Sequence, residues 1–521
     1  MKLDYKRTIF VGFAFFLIST FWQAYDTIIP KILTDKYGMS QAYSGIVMAI
    51  DNILALFMLP LFGAISDKCM SKRGRRTPFI IIGTVISAVA LVCLSFADNK
   101  QLSNIEQVAT IDDPAALTAL YRSENTTTLK MPDGTDFVLA DIFTEEEFSA
   151  ITAQISDPGA ENKQITNPDY TNYVVPARQH YAWQTTRQNP STLIVFLAVL
   201  LITLLAMSIF RSPAVALMPD VTIKPLRSKA NAIINLMGTA GGIVVLALGI
   251  LLSTGAVKNS LMSYTTFFFI IAGIMLVALS IFLWKVNEPK LVIQMQAESK
   301  AYQIDETSDG IKTNGAHALS KPELLSLILI LNSVVFWFMG YNAVTSKYSV
   351  YAGKVLALDY NSTLMIANIA ALIFFLPVGF VASKIGRKKT ILAGIVLLAA
   401  AFLVASFLRE GSPAVLMNCM FALAGIGWAT INVNSFPMVV ELSHGSNVGK
   451  YTGFYYTASM AAQTVTPWLS GMFMDNIGMV SLFPYAAFFV ALAFLTMSFV
   501  KHGDSRPLPI QNKLEQFDTE F

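Results

Sequence analysis

The chain has 521 residues, of which 54% are hydrophobic and 14% are charged, and its formal net charge is +3. Because soluble domains carry about 25% charged residues, this composition excludes an ordinary soluble protein. The small net charge gives no reason to expect nucleic-acid binding, and the three cysteines do not predict a disulfide framework.

Twelve apolar segments are long enough to cross a bilayer, whose hydrocarbon core requires about 20 apolar residues. They lie at residues 8–33, 42–65, 79–96, 192–218, 230–252, 264–284, 322–345, 363–382, 390–408, 414–440, 451–472 and 479–500. The first segment is longer than the core of a signal peptide and continues into Asp26 and Lys31, so we interpret it as a retained helix. We therefore predict an all-α fold, a polytopic membrane protein with twelve transmembrane helices.

The two halves of the chain repeat the same features. A short loop after the second segment carries five lysines and arginines at positions 68–76, and a weaker copy, Gly386-Arg-Lys-Lys389, follows the eighth segment. Phe21-Trp-Gln-Ala-Tyr25 in the first segment also parallels Phe336-Trp-Phe-Met-Gly-Tyr341 in the seventh. Such a repeat predicts two pseudo-symmetric six-helix bundles and is typical of secondary transporters.

The distribution of lysine and arginine predicts the orientation. With both termini cytoplasmic, the cytoplasmic segments hold 24 of the 37 basic residues, whereas the opposite orientation places both basic loops outside. We expect a multi-pass protein of the cell (plasma) membrane with an N-terminal bundle at 1–285 and a C-terminal bundle and cytoplasmic tail at 321–521. The cytoplasmic linker between them, 286–320, is polar and we expect it to be flexible.

An insert at residues 98–190 separates the third and fourth segments on the predicted outer side. It holds 14 acidic and six basic residues and no cysteine. Thr144-Glu-Glu-Glu147 and Asp113-Pro114 are typical helix starts. We expect an extracellular cap with short helices, and the alternative is a partly ordered spacer.

Three charged residues stand out because they lie well inside predicted spans, away from the span ends. Asp26 lies in the first segment, Asp51 near the middle of the second, and Arg211 in the fourth. A charge within a bilayer is costly unless it is paired or hydrated, so it often marks a transport pathway. We interpret Asp26, Asp51 and Arg211 as candidates for proton coupling, and a structural ion pair is the alternative.

Aromatic and amide side chains in the spans could bind a sugar-like substrate. The candidates for a central cavity are Trp22, Gln23, Tyr25, Asn52, Asn235, Trp337, Asn342, Asn368, Trp428, Asn432, Asn434, Tyr455 with its neighbour Tyr456, and Gln463. Such residues also join helices or form interfacial belts, so a structural role remains open for each of them.

Charged residues near the predicted cytoplasmic ends are candidates for a gate. The charged candidates are Asp67, Arg75, Arg76, Asp220, Arg227 and Glu441, and Gly74 in the loop between them is a further candidate. We expect the carboxylate of Asp67 to pair with Arg75 or with the region of the tenth and eleventh helices, and thereby to stabilise one transport conformation. The alternative is that these charges set the topology alone.

These motifs carry a resemblance to a known family. Residues 63–76 resemble the loop between helices two and three of the major facilitator superfamily, and the ending Gly74-Arg-Arg-Thr-Pro-Phe-Ile80 resembles the sucrose–proton symporters and their bacterial relatives in the glycoside–cation symporter family. Residues 213–231 and 434–453 are similar to that family's connections between helices four and five and between helices ten and eleven. Leu204 and Val215 stand where the plant symporters carry an acid and an arginine.

The resemblance implies a secondary active transporter that couples a sugar or glycoside to a cation, the proton, by alternating access in the lipid bilayer. It implies a monomer without a cofactor. We find no nucleotide-binding loop, metal-ligand motif or nucleophile constellation in the sequence, so we expect neither an enzyme nor an ATP-driven pump. Two alternatives remain: a transporter of another solute, including a drug exporter, and a transporter-like sensor that uses the outer insert.

Overall fold

A computed structural model describes residues 3–156, 164–223, 226–301, 320–442 and 448–503. Long helices dominate this part of the chain. They are α1 (Tyr5–Lys31), α2 (Gln41–Asp67), α3 (Thr77–Asn104), α8 (Ser191–Asp220), α9 (Arg227–Leu251), α10 (Thr265–Lys285), α12 (Lys321–Tyr351), α13 (Tyr360–Ile385), α14 (Arg387–Ala405), α15 (Ala414–Glu441), α16 (Val448–Ile477) and α17 (Leu482–Ser498).

Polar residues just before several of these helices explain where they begin. The Asp4 carboxylate accepts a hydrogen bond from the Arg7 backbone N–H at the start of α1, and the Ser40 hydroxyl accepts one at the start of α2. Ser320 and Glu323 form a reciprocal capping box at the start of α12. These side chains satisfy backbone N–H groups that have no partner in the first turn of a helix.

The prediction of a polytopic all-α membrane protein is confirmed. In the described residues, ten helices are long and apolar enough to cross a membrane. Helix α13 adds a shorter apolar stretch, Tyr360–Phe375. Helix α16 has 30 residues with a more polar sequence. Together these elements occupy all twelve predicted spans.

The twelve long helices form two sets of six, each with its own hydrophobic core. We call α1–α3 and α8–α10 the N-half; its core includes Leu17, Phe21 and Phe210. We call α12–α17 the C-half; its core includes Trp337 and Phe483. The first helix of each half continues into a π-helical segment, Ile32–Lys36 after α1 and Ala352–Leu356 after α12, which is a further trace of the repeat.

The insert is a folded unit rather than a spacer over its described residues. Helices α4 (Glu106–Ala109), α5 (Pro114–Glu124), α6 (Glu145–Ser149) and α7 (Val175–Gln188) accompany two antiparallel hairpins, β1–β2 (Thr128–Lys130 and Asp136–Val138) and β3–β4 (Gln154–Ser156 and Gln164–Thr166). Leu117, Leu120 and Phe148 are buried in its separate core. We call this unit the cap. Both predicted helix starts are correct, whereas the hairpins were not predicted.

The first part of the linker is helical, contrary to the expected flexibility. Helix α11 spans Glu288–Ala301, and residues 302–319 lie outside the described residues. Its first residue, Glu288, is only 1% exposed because its side chain is buried against the loop before α3. The molecule therefore has a cap side and a linker side, and we use these names below.

On the cap side the two halves are in close contact. A side chain at Gly45 of α2 would overlap the Pro467 carbonyl of α16. The Asp475 carboxylate of α16 accepts hydrogen bonds from the backbone N–H groups of Gln41 and Ala42, at 2.8 and 2.7 Å. This carboxylate therefore caps the beginning of α2 from the opposite half, and the cap side is closed.

The cap also contacts both halves. The backbone N–H of Met479, in the turn between α16 and α17, donates a 2.7 Å hydrogen bond to the Pro132 carbonyl in the turn of the β1–β2 hairpin. On α7, Gln179 donates to the Met39 carbonyl of the N-half and accepts from Lys354 of the C-half. The cap is thus inserted in the N-half and attached to the C-half as well.

Candidate functional site

The three charged residues predicted inside the spans form one cluster between the halves. The Arg211 guanidinium of α8 interacts electrostatically with the carboxylates of Asp51 on α2 and Asp26 on α1. It lies over the Trp22 ring, 5.4 Å from the ring centroid, which is a cation–π geometry. The Asn52 amide donates a 2.9 Å hydrogen bond to the Asp51 carboxylate. All three charged side chains are half-buried.

The C-half presents aromatic residues to this cluster. The Tyr456 hydroxyl of α16 interacts electrostatically with Arg211, and the Tyr341 hydroxyl of α12 interacts with Asp26. The Tyr341 ring is stacked on Trp428 of α15, with ring centroids 3.7 Å apart and an interplanar angle of 4°. The stack fixes the orientation of both rings and adds a flat aromatic surface to the site.

Several polar atoms on α1 and α12, the helices that carry Asp26 and Tyr341, have no partner among the described residues. The Trp22 indole N–H, the Tyr25 hydroxyl and the Asn342 side-chain NH2 are buried and make no hydrogen bond there. An unsatisfied buried donor costs about 1–3 kcal/mol, so such atoms indicate a place for bound polar molecules.

Further along the interface, the Asn368 amide of α13 donates to the Gln23 side-chain oxygen of α1 at 3.4 Å and joins the halves. Both residues were predicted for the cavity. Nothing in the described segments brings three His, Cys, Asp or Glu side chains together as a metal site.

Trp337 does not line the cavity, contrary to the prediction. Its side chain is fully buried in the core of the C-half. Three positions separate Trp22 from Tyr25, but four separate Trp337 from Tyr341. One additional residue turns a helix by about 100°, so the second tryptophan lies on a different face than its counterpart.

Asn434 and Tyr455 are also buried, and their side chains are hydrogen-bonded within the C-half. Asn434 is 3% exposed and its amide donates to the Thr430 carbonyl one turn earlier in α15. The Tyr455 hydroxyl is hydrogen-bonded to the Ser435 hydroxyl at 2.9 Å, which joins α16 to α15. The adjacent Tyr456 is the tyrosine that faces Arg211.

The remaining amide candidates make no hydrogen bond to the charged cluster among the described residues. The Gln463 amide donates to the Ser459 carbonyl within α16, at 3.3 Å. Asn235 on α9 and Asn432 on α15 have exposed side chains. None of these contacts brings them to the charged cluster.

The candidate gate residues form a second charged cluster on the linker side. Asp220, at the end of α8, accepts hydrogen bonds from both Arg75, at 2.6 Å, and Arg76, at 2.8 Å. Asp67 pairs with Arg76 and not with Arg75, so that expectation was wrong. The loop turns at Gly74, whose φ of +103° is strained for any residue with a Cβ. These ion pairs join α2, the loop before α3 and α8 within the N-half.

Two further gate candidates cannot be placed in this cluster. Arg227 begins α9 and Glu441 ends α15, but both side chains lie outside the described residues.

Glu288 completes the linker-side cluster and was missed by the sequence analysis. Its carboxylate accepts hydrogen bonds from the backbone N–H groups of Arg75, Arg76 and Thr77 and from the Thr77 hydroxyl, at 2.7–3.1 Å. A carboxylate at a helix N-terminus satisfies unpaired donors and interacts favourably with the helix dipole. Glu288 follows the sixth span closely, at the start of the polar linker, and that position was the only signal in the sequence.

Two sets of six long apolar helices pack against each other, and charged and aromatic residues lie between them. This arrangement is typical of a polytopic membrane transporter. A family model of the Major Facilitator Superfamily matches residues 181–431 and 360–519, and a second, for MFS/sugar transport proteins, matches residues 10–110. The chain belongs to the Major Facilitator Superfamily. The family and the fold are those of transporters, not of enzymes.

Curated relatives match over short segments. The sucrose transport protein SUC3 of Arabidopsis thaliana is 38% identical over 60 residues, which are 12% of this chain and 10% of that protein. The sucrose transport protein SUC4 of the same plant is 35% identical over 62 residues, 12% of each chain. The alignments therefore span only about a tenth of the relatives' length.

Solved structures match over nearly the whole chain. The inward open conformation of the xylose transporter XylE from E. coli has a TM-score of 0.59 at 13% identity and covers 98% of this chain and 99% of that one. A bacterial homologue of the iron transporter ferroportin in the inward-facing state has a TM-score of 0.56 at 11% identity, with 96% and 100% coverage. Such likenesses show the fold and leave the substrate open.

Proposed function

We propose that this protein is a secondary active transporter that couples the movement of a sugar or glycoside to a proton by alternating access. The observation that carries the proposal is the central cluster, in which Arg211 interacts with both Asp26 and Asp51 beside Trp22. The sugar class is supported by the match to the MFS/sugar transport model and by the sequence similarity to the sucrose transport proteins.

The charged cluster offers a simple coupling mechanism. A proton on either carboxylate removes one negative charge next to the Arg211 guanidinium and so changes its preferred position. Arg211 also interacts with Tyr456 of the C-half, so this change would alter an interaction between the two halves. Coupling requires that a ligand bind one conformation more tightly than another, and this arrangement supplies such a difference.

Substrate hydroxyl groups would be bound by the unpaired donors and the adjacent amides. The Trp22 N–H, the Tyr25 hydroxyl and the Asn342 amide are available to a ligand, and the Tyr341–Trp428 stack provides an aromatic surface. Gln23 and Asn368 already connect the halves and would exchange partners as the substrate enters. We assign them to the substrate site for that reason.

The topology we propose places the linker side in the cytoplasm. Both basic loops lie on that side, in agreement with the positive-inside rule, and both termini would then be cytoplasmic in the plasma membrane. Residues 1–285 and 321–521 would move as the two bodies of a monomer, because each half has its own core. The linker-side ion pairs would stabilise one of the alternating conformations.

The test is uptake of a labelled disaccharide into vesicles containing the purified protein, with and without an imposed pH gradient. Asp51→Asn and Asp26→Asn keep the side-chain size but cannot titrate. We expect at least one of them to abolish gradient-driven accumulation while exchange of substrate across the membrane continues. Asp136→Asn, on the exposed surface of the cap, is the matched control and should leave both activities intact.

Three other results would change the proposal. Accumulation driven by the gradient in both variants would refute the proton site and favour another coupling ion. Transport of a different solute, or outward transport, would identify the alternative transporter class. Ligand binding by the wild type without transport would favour the sensor.

A further inference from the structure

A second polar site lies on the cap side, where the cap and both halves meet. A cavity of about 40 Å³ is lined there by Lys31 and Asp35 of the N-half, Ser349 and Lys354 of the C-half, and Arg178 of the cap. A single water requires about 10–15 Å³, so the cavity accommodates a small ion but not a sugar. It is therefore distinct from the proposed substrate site.

The cavity has an excess of positive charge. Lys31, Lys354 and Arg178 are 4%, 8% and 6% exposed, and Asp35 is the one carboxylate among the residues that line the cavity. Lys354 lies 3.4 Å from Asp35, and Asp359 is the other carboxylate that interacts with Lys31. Asp112 also interacts with Tyr170, but its side chain is exposed, so water screens its charge. Among the groups that are not exposed, three cations thus face two carboxylates. An uncompensated buried charge costs several kcal/mol, so this excess favours a bound anion.

Lys36, the next lysine along α1, does not change this balance. Its ammonium group makes a 2.7 Å salt bridge with Asp98, and both side chains are fully buried. The pair is neutral as a whole.

The hydrogen-bonding groups around the cavity are mainly donors. The Arg178 Nε–H and the Ser349 hydroxyl are buried and have no partner among the described residues. The Tyr170 hydroxyl accepts from Arg178 and keeps its own proton to donate. The Lys31 ammonium uses one bond on the Thr254 carbonyl, at 2.8 Å, and has two further N–H groups. Unpaired donors beside cations are the lining that an anion requires.

We propose that this cavity binds a halide-sized anion, such as chloride, that holds the closed cap side together. The N-half contributes Lys31, the C-half contributes Lys354 and Ser349, and the cap contributes Arg178. Opening the cap side separates these groups, so the complete site exists only in the closed conformation. An anion that binds only this conformation stabilises it by mass action.

The first experiment measures the melting temperature of the purified full-length protein in chloride and in gluconate at equal ionic strength and pH. Gluconate is too large for the cavity. We expect a saturable increase of about 2–4 °C in chloride. Arg178→Gln and Lys354→Gln also lose hydrogen bonds to Tyr170 and Gln179, so each variant is compared with itself, and neither should melt higher in chloride than in gluconate. Lys258→Gln, an exposed lysine near the same surface, is the control and should keep it.

A second measurement locates the anion without any variant. Crystals of the wild type grown in bromide should show an anomalous peak between Lys354 and Arg178. Equal melting temperatures of the wild type in chloride and gluconate would overturn the proposal. So would retention of the chloride effect in both variants, or bromide crystals without a peak in the cavity.

Discussion

The replacement Glu288→Gln should loosen the loop before α3. The expected loss of stability follows from the hydrogen bonds that the Glu288 carboxylate makes. One carboxylate oxygen accepts from Arg75 and Arg76 and the other mainly from Thr77. Glutamine replaces one of these oxygens with an NH2 group that cannot accept, so about two hydrogen bonds to a charged acceptor are lost. Each contributes about 1.5–3 kcal/mol, and some will be replaced by water, so we expect a loss of about 2–3 kcal/mol.

Amide hydrogen exchange measures this loss directly. The backbone N–H groups of residues 75–77 are the donors, and a decrease of 2–3 kcal/mol in the opening free energy makes them exchange about 30- to 140-fold faster. Glu298→Gln, on the same helix, is the control because that side chain is 39% exposed and lies 3.8 Å from Arg7, a geometry that contributes about 0–1 kcal/mol. A change below about threefold in Glu288→Gln, or equal changes in the two variants, would refute the reasoning.

Three further predictions concern the gates and the cap. Gly45→Val should prevent α2 from approaching α16, so the distance between spin labels at their cap-side ends should increase; an unchanged distance would show that the contact adapts. Asp67→Asn removes the negative charge of a half-exposed partner of Arg76. It should slow transport by up to about fivefold and leave substrate affinity unchanged, and a weaker substrate affinity would contradict this prediction. The hydrogen bond to Glu124 raises the pKa of His180, so the cap should lose stability as the pH rises above about 6.5 through that raised pKa. The protection factors of cap amides, which divide out the intrinsic pH dependence of exchange, should be lower at pH 8.5 than at pH 5.5, and His180→Gln should abolish this difference.

The membrane spans and the charged residues within them could be predicted because both depend only on the local sequence. A helix in a bilayer needs a long apolar sequence, and a charge within it is conspicuous, so Asp26, Asp51 and Arg211 could be identified by position alone. The faces of the helices were less predictable. Trp337 was a cavity candidate because it is an aromatic residue within a span, but one additional residue between it and Tyr341 turns it into the core.

Contacts between distant segments could not be predicted from the sequence. Glu288 is more than 200 residues from the backbone amides that it binds, and nothing in the local pattern pairs them. The choice of Arg76 rather than Arg75 as the partner of Asp67 depends on the path of a loop that turns at Gly74. Short hairpins such as β1–β2 also give little signal, because strands of three residues are too short to show an alternating pattern.

The cap is attached to the turn between α16 and α17. A reagent that binds there from the surrounding water would therefore shift the equilibrium between the open and closed forms of the cap side. The hydrogen bond from Met479 to Pro132 links an exposed hairpin to the half of the molecule that does not carry it. An antibody fragment that recognises the hairpin and this turn together would bind only while they touch. Every 1.4 kcal/mol by which it binds the closed conformation more tightly than the open one changes the ratio of the two conformations tenfold. A reagent that never enters the membrane could therefore slow or arrest transport by holding two surface turns in place.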